Sequence, residues 1–326
     1  MSQGTVDRII HNRGQVSQEN INKVNAIINE YGYKKNIFAS NLALNKEYNF
    51  AVFLPKSEKI EYWDSVISGI EKANEEFKQF NISLKYYLYD YNPTSFKKMM
   101  FKLLNNSHDG ILFAPIFYNE SILFLDKIKK LTVPVIIIDS NIKHPSISAS
   151  ITQDAFKSGY LAAKLISLGS NNKNQVLIMK ITPEIESTSI YRERIKGFYD
   201  FFKKNKQISK VSISEITLTK SQQKFDVNIF NEIDSIFVPN SRAYIVAKIL
   251  KKNNLNKINI VGYDMLRDNV MYLKEGFINF IIHQNPEFQG YTGIEYLYKK
   301  IILKKNIEKK TNLPLEIIIK ENLLRY

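Results

Sequence analysis

The sequence predicts an α/β protein with two lobes, each built on a mostly parallel sheet, preceded by a small helical module. Three observations support this fold class. From Asn49 onward, short β-branched or aromatic runs alternate with amphipathic segments of 12 to 18 residues. Nine or more such runs exceed one doubly wound sheet, so two sheets are expected. Residues 1–48 lack this alternation and show helical spacing of apolar residues instead.

The predicted strands are short and bounded by turn residues. They are NFAVFLP (49–55), ISLKYYLYDY (82–91), DGILFAP (109–115), VPVIIID (133–139), QVLIMKI (175–181), KVSISEITL (210–218), DSIFVP (234–239), INIVGYD (258–264) and INFIIH (278–283). Between the first two, residues 64–79 predict a sheet-covering helix, because Val66, Ile70 and Phe77 fall on one face and charged residues on the other.

The order of these elements predicts how the larger domain, residues 49–326, is divided. Lobe one is expected to comprise about 49–150 and 286–313, and lobe two about 151–285 and 314–326. The first crossing falls near SISASITQDAF. A long helix through Lys305 and a final strand LPLEIIIKEN would return the chain to lobe one and then lobe two. A cleft between two such lobes is the expected ligand site.

The first 48 residues predict two short helices joined by a turn. One helix lies around Thr5–Asn12, and the second begins at Ser17 and ends near Gly32. Ser2 and Ser17 are the expected N-caps, since their hydroxyl oxygens can accept a bond from a free backbone N–H. A module this small buries little apolar surface by itself.

Charge and composition restrict the function classes without choosing one. The formal net charge is +14, but residues 1–48 contribute only +2, from six basic and four acidic side chains. Most of the excess positive charge lies outside these residues. Solvated lysine-rich faces account for it without any binding of nucleic acid. The sequence has no cysteine, no targeting segment and no apolar run near the ~18 residues that span a bilayer. We therefore expect a cytoplasmic protein without a membrane anchor.

Sequence motifs for catalysis are absent. No GxSxG elbow, GxxxxGK[ST] loop or GxGxxG turn follows a predicted strand. The four histidines, His11, His108, His144 and His283, lack the spacing of metal ligands. We expect neither an enzyme, nor a cofactor, nor a metal site.

Three N-terminal segments, SQGTVDRIIHN, GQVSQENINKV and EYGYKKN, follow the order of a known motif. On these segments the chain resembles the lactose and galactose repressor (LacI/GalR) family of bacterial transcription regulators, over essentially its whole length. The resemblance implies a partial helix-turn-helix and hinge in residues 1–48. For residues 49–326 it implies two Rossmann-like lobes of the periplasmic binding protein type I fold, joined by crossover segments. Operator DNA, a small sugar-like effector and a second copy of the chain are the implied partners.

By this resemblance, Gln3, Gly4 and Arg8 face base edges in the major groove. A bidentate contact from Arg8 to guanine would contribute ~1–3 kcal/mol of discrimination. A plain capped surface helix is the alternative. Met1 stands where the family has Val, and no first helix precedes it, so the helix-turn-helix appears truncated. A start assigned or engineered inside the gene is favoured over a true loss, and residues 1–48 as written are expected to be loosely ordered and to bind DNA poorly.

The segment NIFASNLALN resembles the family's hinge, with Leu42 at the position that wedges into the minor groove. Two departures put its affinity for phosphate in doubt: Lys35 replaces the usual proline, and Ser40 replaces a basic residue. An ordinary linker hydrophobe is the alternative for Leu42.

The resemblance also implies an effector site between the lobes. Tyr62 and Trp63 follow the first strand, where the family has aromatics that close over a sugar or base, and a flat ring suits the apolar face of a pyranose. A core or interface tryptophan is the alternative for Trp63. The polar members lie at strand ends or helix starts and supply donors and acceptors for vicinal hydroxyls. They are Asp139, Arg194, Asn240, Asp264 and Gln284.

These residues predict a ligand-responsive regulator, a homodimer whose two-lobed domain closes on a sugar and alters operator affinity. Two rivals remain. One is a cytoplasmic sugar sensor without competent DNA binding, and the other is an enzyme acting on a sugar phosphate in the cleft. The effector, the operator sequence and the choice between induction and corepression are open at this point.

Overall fold

A computed structural model describes residues 1–10, 14–31, 46–57, 61–169, 175–181, 189–205, 211–218 and 226–325. The chain forms two compact units, Met1–Glu47 and Tyr48–Tyr326. The smaller unit contains α1 (Gln3–Ile10) and α2 (Gln18–Glu30). Ser2 caps α1 as predicted, because its Oγ accepts from the Thr5 N–H at 3.2 Å. Ser17 is the N-cap of α2, although its side chain accepts no bond there.

The larger unit contains two six-stranded sheets within the described residues. Lobe one is built on β1 (Tyr48–Pro55), β2 (Ile82–Tyr89), β3 (Gly110–Phe113), β4 (Val135–Asp139), β5 (Ile147–Gln153) and β11 (Lys310–Leu313). Lobe two is built on β6 (Gln175–Ile181), β7 (Ser212–Leu218), β8 (Ser235–Phe237), β9 (Asn259–Tyr263), β10 (Phe280–His283) and β12 (Glu316–Ile318). The strand orders are β11-β5-β4-β3-β1-β2 and β12-β10-β9-β8-β6-β7. Every pair is parallel except β10 with β12.

Helices cover both faces of each sheet. Lobe one has α3 (Glu61–Glu76), α4 (Pro93–Leu104), α5 (Tyr118–Ile128) and α10 (Pro286–Leu297), which continues as a π-helix over Tyr298–Ile302. Lobe two has α6 (Ala155–Gly169), α7 (Ser189–Lys204), α8 (Ala243–Lys252) and α9 (Arg267–Lys274). Short 3-10 segments follow at Lys78–Phe80, Lys129–Leu131, Val227–Glu232 and Lys320–Arg325. The predicted two-lobed α/β fold is confirmed.

Three chain segments cross between the lobes, after β5, after β10 and after β11. The boundary expected near residue 150 falls inside β5, which stays in the first sheet to Gln153. The expected final strand over 313–322 is divided: Pro314 and Leu315 separate β11 in lobe one from β12 in lobe two. Proline lacks the N–H that a continuous strand needs at this point, so the ladder ends there.

Gln153 connects the three crossings. Its Nε2 donates to the His283 carbonyl at 2.9 Å and to the Pro314 carbonyl at 2.8 Å. Its side chain is 5% exposed, so both bonds are shielded from water. One buried carboxamide therefore ties together the backbone of all three segments about which the lobes would move.

Candidate functional site

Two carboxylates mark corresponding ends of the two sheets. Asp139 ends β4 in lobe one, and Asp264 follows β9 in lobe two. Both have left-handed backbone, with φ of 66° and 61°. Aspartate tolerates this conformation better than most residues do, and strained backbone often occurs at functional sites. The parallel strands thus deliver both acids to the ends that face the cleft.

Asp139 is surrounded by lobe-one residues. Its Oδ1 accepts from the Tyr62 hydroxyl at 2.9 Å and its Oδ2 from the Ser140 hydroxyl at 2.8 Å. Its own backbone N–H donates to Gln289 Oε1 at 2.7 Å. Burial raises the pKa of Asp139, and the two hydroxyls partly offset this by bonding to the ionised form. Burial and the neighbouring Asp139 carboxylate also raise the pKa of Tyr62, which keeps it a donor.

Asp264 is held more completely, and it is 1% exposed. Its Oδ2 accepts from the Ser241 hydroxyl and from Gln284 Nε2, both at 2.7 Å. Its Oδ1 accepts from the Gln284 backbone N–H at 3.2 Å. Three hydrogen-bond donors of the protein therefore fix the orientation of the Asp264 carboxylate.

Arg194 supplies a buried cation, 3% exposed, beside these acids. Its guanidinium lies 3.6 Å above the centre of the Tyr263 ring, which favours a cation through the negative face of the ring. Nη2 donates to Gln284 Oε1 at 2.6 Å and Nη1 to the Pro239 carbonyl at 2.9 Å. The buried Nε has no hydrogen-bond partner within the described residues. A buried N–H without an acceptor among the described residues marks Arg194 as a candidate for contact with a ligand.

Gln289, in the first turns of α10, joins the two halves of the site. Its Nε2 donates to the Gln284 carbonyl at 2.8 Å and to the Tyr62 hydroxyl at 3.3 Å, while its Oε1 holds the Asp139 backbone. It is fully buried. A continuous series of polar side chains thus runs from Asp139 in lobe one to Asp264 in lobe two.

Asn240 organises a second group in lobe two. Its Nδ2 donates to the Ile181 carbonyl and to the Tyr191 hydroxyl, and its Oδ1 accepts from the Arg242 backbone N–H at 3.0 Å. Arg242 Nη1 also donates to the Ile181 carbonyl, at 3.2 Å. Asn240 therefore holds the Tyr191 hydroxyl and the Arg242 backbone beside the end of β6.

Trp63 is 1% exposed and packs in the core of lobe one. Its ring meets Tyr62 edge to face at 5.0 Å, and its Nε1 donates to the Tyr91 hydroxyl at 3.0 Å. Trp63 is as buried as Asp264, and its contact with an effector stays a prediction beside the alternative of an interior tryptophan.

Six of the seven predicted site residues thus lie in or directly beside one polar network, and contact of each with an effector stays a prediction. The residues that sequence reasoning missed share one property: each bonds to a group that is distant in the sequence or belongs to another element. They are Tyr91, Gln153, Tyr191, Ser241, Arg242 and Gln289. An amide such as Gln289, on a helix face otherwise buried, could have been noticed as a polar exception.

The predicted DNA-contact residues Gln3, Gly4 and Arg8 are exposed on α1, and none of the α1 residues is buried. A Cβ added at Gly4 would meet nothing within 4 Å. An apolar groove runs between α1 and α2, lined by residues that include Val6, Ile10 and Val24. Leu42 lies outside the described residues.

The described residues were also compared with what a membrane span and a metal site require. No helix within the part of the chain that the structure describes could span a membrane. Among the same residues, no group of three or more His, Cys, Asp or Glu side chains could hold a metal ion. His108 contacts the Tyr87 hydroxyl at 3.0 Å, and His144 contacts Asp126 at 3.1 Å.

Comparison with known proteins identifies the class. The family model for the periplasmic binding protein domain matches residues 50–305. The chain is 24% identical over 322 residues to catabolite control protein A of Staphylococcus xylosus, covering 90% of this chain and 96% of that protein. It is 28% identical over 275 residues to the sucrose operon repressor of Streptococcus mutans, covering 81% and 79%. The larger unit is therefore a domain of the periplasmic binding protein type.

A solved structure narrows this class further. A Bacteroides fragilis protein assigned to the LacI transcriptional regulators superposes with a TM-score of 0.80 at 30% identity, covering 86% of this chain and 100% of that one. The chain belongs to the LacI family of ligand-responsive, DNA-binding transcription regulators. The resemblance inferred from the N-terminal segments is confirmed.

Proposed function

We propose that this regulator binds a small sugar or sugar derivative between its lobes, without converting it, and that binding changes its affinity for operator DNA. We further propose that it acts in the cytoplasm as a homodimer, because palindromic half-sites require two-fold symmetry. The observation that carries the proposal is the buried polar series from Asp139 to Asp264, through Tyr62, Gln289 and Gln284.

The chemistry of this series suits vicinal hydroxyls. A hydroxyl is both donor and acceptor, so a desolvated polyol needs carboxylates to accept its protons and N–H groups to donate to its oxygens. Asp139 and Asp264 provide the acceptors, and Arg194 provides a buried N–H that is unpartnered among the described residues. Charge-assisted bonds of this kind are the stronger class.

Coupling to DNA requires only a modest free energy. A bias of ~1–3 kcal/mol between effector and operator changes occupancy about 5–150-fold. Gln289 and Gln284 bond across the β10 crossing, so an effector that reorganises them would act on the segments that join the lobes. Gln3, Gly4 and Arg8 are the proposed operator contacts, with Leu42 as the proposed minor-groove wedge.

A thermal-shift panel of monosaccharides tests the binding claim. A true effector at a hundredfold excess over its Kd should stabilise the protein by ~2.7 kcal/mol, with no product detectable by chromatography. Asp264→Asn should abolish the shift, whereas Asp268→Asn, an exposed acid on α9, should leave it intact. Product formation would instead favour the enzyme rival, and an equal shift in Asp264→Asn would place the effector elsewhere.

A sugar sensor without competent DNA binding is the second candidate, because none of the described α1 residues is buried. Fluorescence anisotropy on a palindromic operator from upstream of the gene separates the two. The regulator should bind with an affinity that falls in Arg8→Ala and shifts with the effector. Sugar binding without any DNA binding would favour the sensor.

A further inference from the structure

We propose that the effector is larger than one sugar ring, and that its second ring binds in a cavity between the lobes that begins at Asp139. This crossing cavity has a volume of about 340 Å³, and both lobes contribute to its walls. Small-molecule sites begin at about this size. The inference rests on the proposed function, because it specifies which sugars the same interlobe site accepts.

One row of strand residues connects the crossing cavity to the polar series. In the register of the lobe-one sheet, Asp139 of β4 lies beside Thr152 of β5, and Thr152 lies beside Asn312 of β11. All three residues line the cavity. Neighbouring strands lie ~4.8 Å apart, so the row continues the polar surface for about 10 Å from Asp139 to the edge strand. A ligand that contacts Asp139 can therefore extend along this row.

Asp139 is the residue that the crossing cavity and the polar series share. Tyr62 approaches Asp139 from α3 and donates to its Oδ1, whereas the row of strand residues leaves Asp139 toward β11. Among the described residues, Tyr62, Gln284 and Asp264 do not line the cavity. A single ring bound to the polar series would thus leave the cavity unfilled, and a ligand with two rings can occupy both.

Lobe two supplies apolar surface to the crossing cavity. Phe156 lies in the first turn of α6 and Ile190 in the first turn of α7, and both are half-buried residues of the cavity wall. A sugar ring has an apolar face as well as hydroxyl groups, and an aromatic side chain suits that face. The cavity therefore offers polar groups from lobe one and apolar groups from lobe two to the same ring.

The charges around the crossing cavity favour a neutral ligand. Asp154 Oδ1 already accepts from the Lys157 backbone N–H at 2.9 Å, and Glu193 pairs with Lys196 at 2.6 Å. Hydroxyl groups both donate and accept, so they match a wall of mixed charge better than an anion or a cation does. The charged residues that line the cavity are Asp139, Lys143, Asp154, Glu193 and Lys310.

Gln153 joins the crossing cavity to the segments that connect the lobes. It lines the cavity, and its Nε2 bonds to the carbonyls of His283 and Pro314. Its buried Oε1 has no partner among the described residues, which marks it as a candidate for contact with a ligand hydroxyl. A neutral bond of this kind contributes only a few-fold to affinity. The second ring would nevertheless lie against the side chain that ties the three crossings together.

Isothermal titration with named sugars tests the inference. At least one disaccharide should bind about tenfold or more tightly than each of its component monosaccharides, because the second ring buries further apolar surface and forms further bonds. The probes are D-glucose, D-galactose, D-fructose, maltose, cellobiose, lactose, melibiose and sucrose.

Two variants test whether the second ring lies in the crossing cavity. Asn312→Phe places a bulky side chain in the wall, so it should weaken the disaccharide about tenfold and leave the monosaccharide unchanged. Phe156→Leu should weaken the disaccharide a few-fold, because it removes the flat ring. Asn306→Phe changes an exposed residue outside the described walls and should alter neither affinity. Unfolding temperatures verify that each variant is folded.

Two results would overturn the second-ring site while leaving the proposed function standing. One is that every disaccharide binds no more tightly than its component monosaccharides. The other is that Asn312→Phe weakens monosaccharides and disaccharides equally. If no sugar of either size binds, the proposed function fails and the second-ring site fails with it.

Discussion

The two lobes share one strand order, although β11 runs parallel and β12 antiparallel to its neighbour. The orders β11-β5-β4-β3-β1-β2 and β12-β10-β9-β8-β6-β7 place β4 opposite β9, and each of these strands delivers a left-handed aspartate. Each aspartate accepts from a serine hydroxyl, Ser140 in lobe one and Ser241 in lobe two. The sequence contains no repeat strong enough to predict this, because the correspondence is in backbone and spacing rather than in residue identity.

The helix pairs correspond as well, and they differ at one informative residue. A Cβ at Gly290 would lie 2.0 Å from the Val66 carbonyl, and a Cβ at Gly159 would lie 1.8 Å from the Arg194 carbonyl. Glycine therefore lets α10 approach α3 in lobe one and α6 approach α7 in lobe two. At the matching point, lobe one has a buried valine and lobe two a buried arginine. Arg194, the buried cation of the site, thus lies at the position where lobe one has the core residue Val66.

Gly159→Ala is expected to have the largest effect, because it strains the helix pair that carries Arg194. The new methyl group would force α6 and α7 apart and destabilise the protein by about 1–3 kcal/mol, as overpacking does. It would also displace the Arg194 backbone, so effector affinity should fall about tenfold or more. Urea unfolding and isothermal titration measure the two effects.

Gly69→Ala is the comparable change in lobe one. Its Cβ would lie 1.9 Å from the Glu287 carbonyl, so a similar loss of stability is expected. The clash falls on the α10 backbone two residues before Gln289, so effector affinity should fall here as well, through Gln289 and Tyr62 rather than through Arg194. Unchanged effector affinity in Gly69→Ala would show that the α3–α10 contact does not hold the polar series in place.

Arg194→Met is expected to have the next largest effect. It keeps the length of the side chain and removes every donor, including the bonds to Gln284 and the Pro239 carbonyl. Loss of a charge-assisted bond to the effector should weaken binding by about 1.5–3 kcal/mol, roughly 10–150-fold. Val66→Met, the matching change in lobe one, should alter packing only. An unchanged Kd in Arg194→Met would remove this arginine from the site.

The strands and the polar residues at their ends were predictable from the sequence, because β-branched runs and the aspartates and amides that end them are local patterns. Asp139, Asn240 and Asp264 are examples. Gln289, Tyr191 and Gln153 were not predictable, since their roles depend on which distant carbonyl or hydroxyl each meets after folding. Trp63 is a further example, since its place after β1 is a local pattern but its bond to the Tyr91 hydroxyl depends on folding.

A smaller, pH-dependent effect on stability should appear at Asp139 in lobe one. Burial raises its pKa, so the folded protein holds this proton more tightly than the unfolded chain does. The free energy of unfolding contributed by this group therefore falls as pH rises from about 4 toward neutral. Asp139→Asn keeps an acceptor for the Tyr62 hydroxyl and removes the titration.

Urea unfolding at about pH 4 and about pH 7 checks this prediction, since the two values bracket the start of the titration and its completion. Relative to the native chain, Asp139→Asn should gain stability as pH rises, because it lacks the carboxyl whose pKa burial raises. A difference that stays constant with pH would mean that Asp139 titrates as it does in water. Effector affinity should fall in Asp139→Asn at either pH.

Gln153→Met should have the smallest effect on effector affinity and a selective effect on coupling between the lobes. It removes two buried bonds that join the β5 end to the other two crossings, at a cost of about 1–3 kcal/mol in the free energy of unfolding. No bond to the polar series is lost, so effector affinity should change only a few-fold through the ease of lobe closure. Gln79→Met, an exposed glutamine beside α3, serves as control. Because the Gln153 side chain bonds to the backbone of the other two crossings, the ratio of operator affinity with and without effector should change more than either affinity alone. An unchanged ratio would show that the crossings move without straining these bonds.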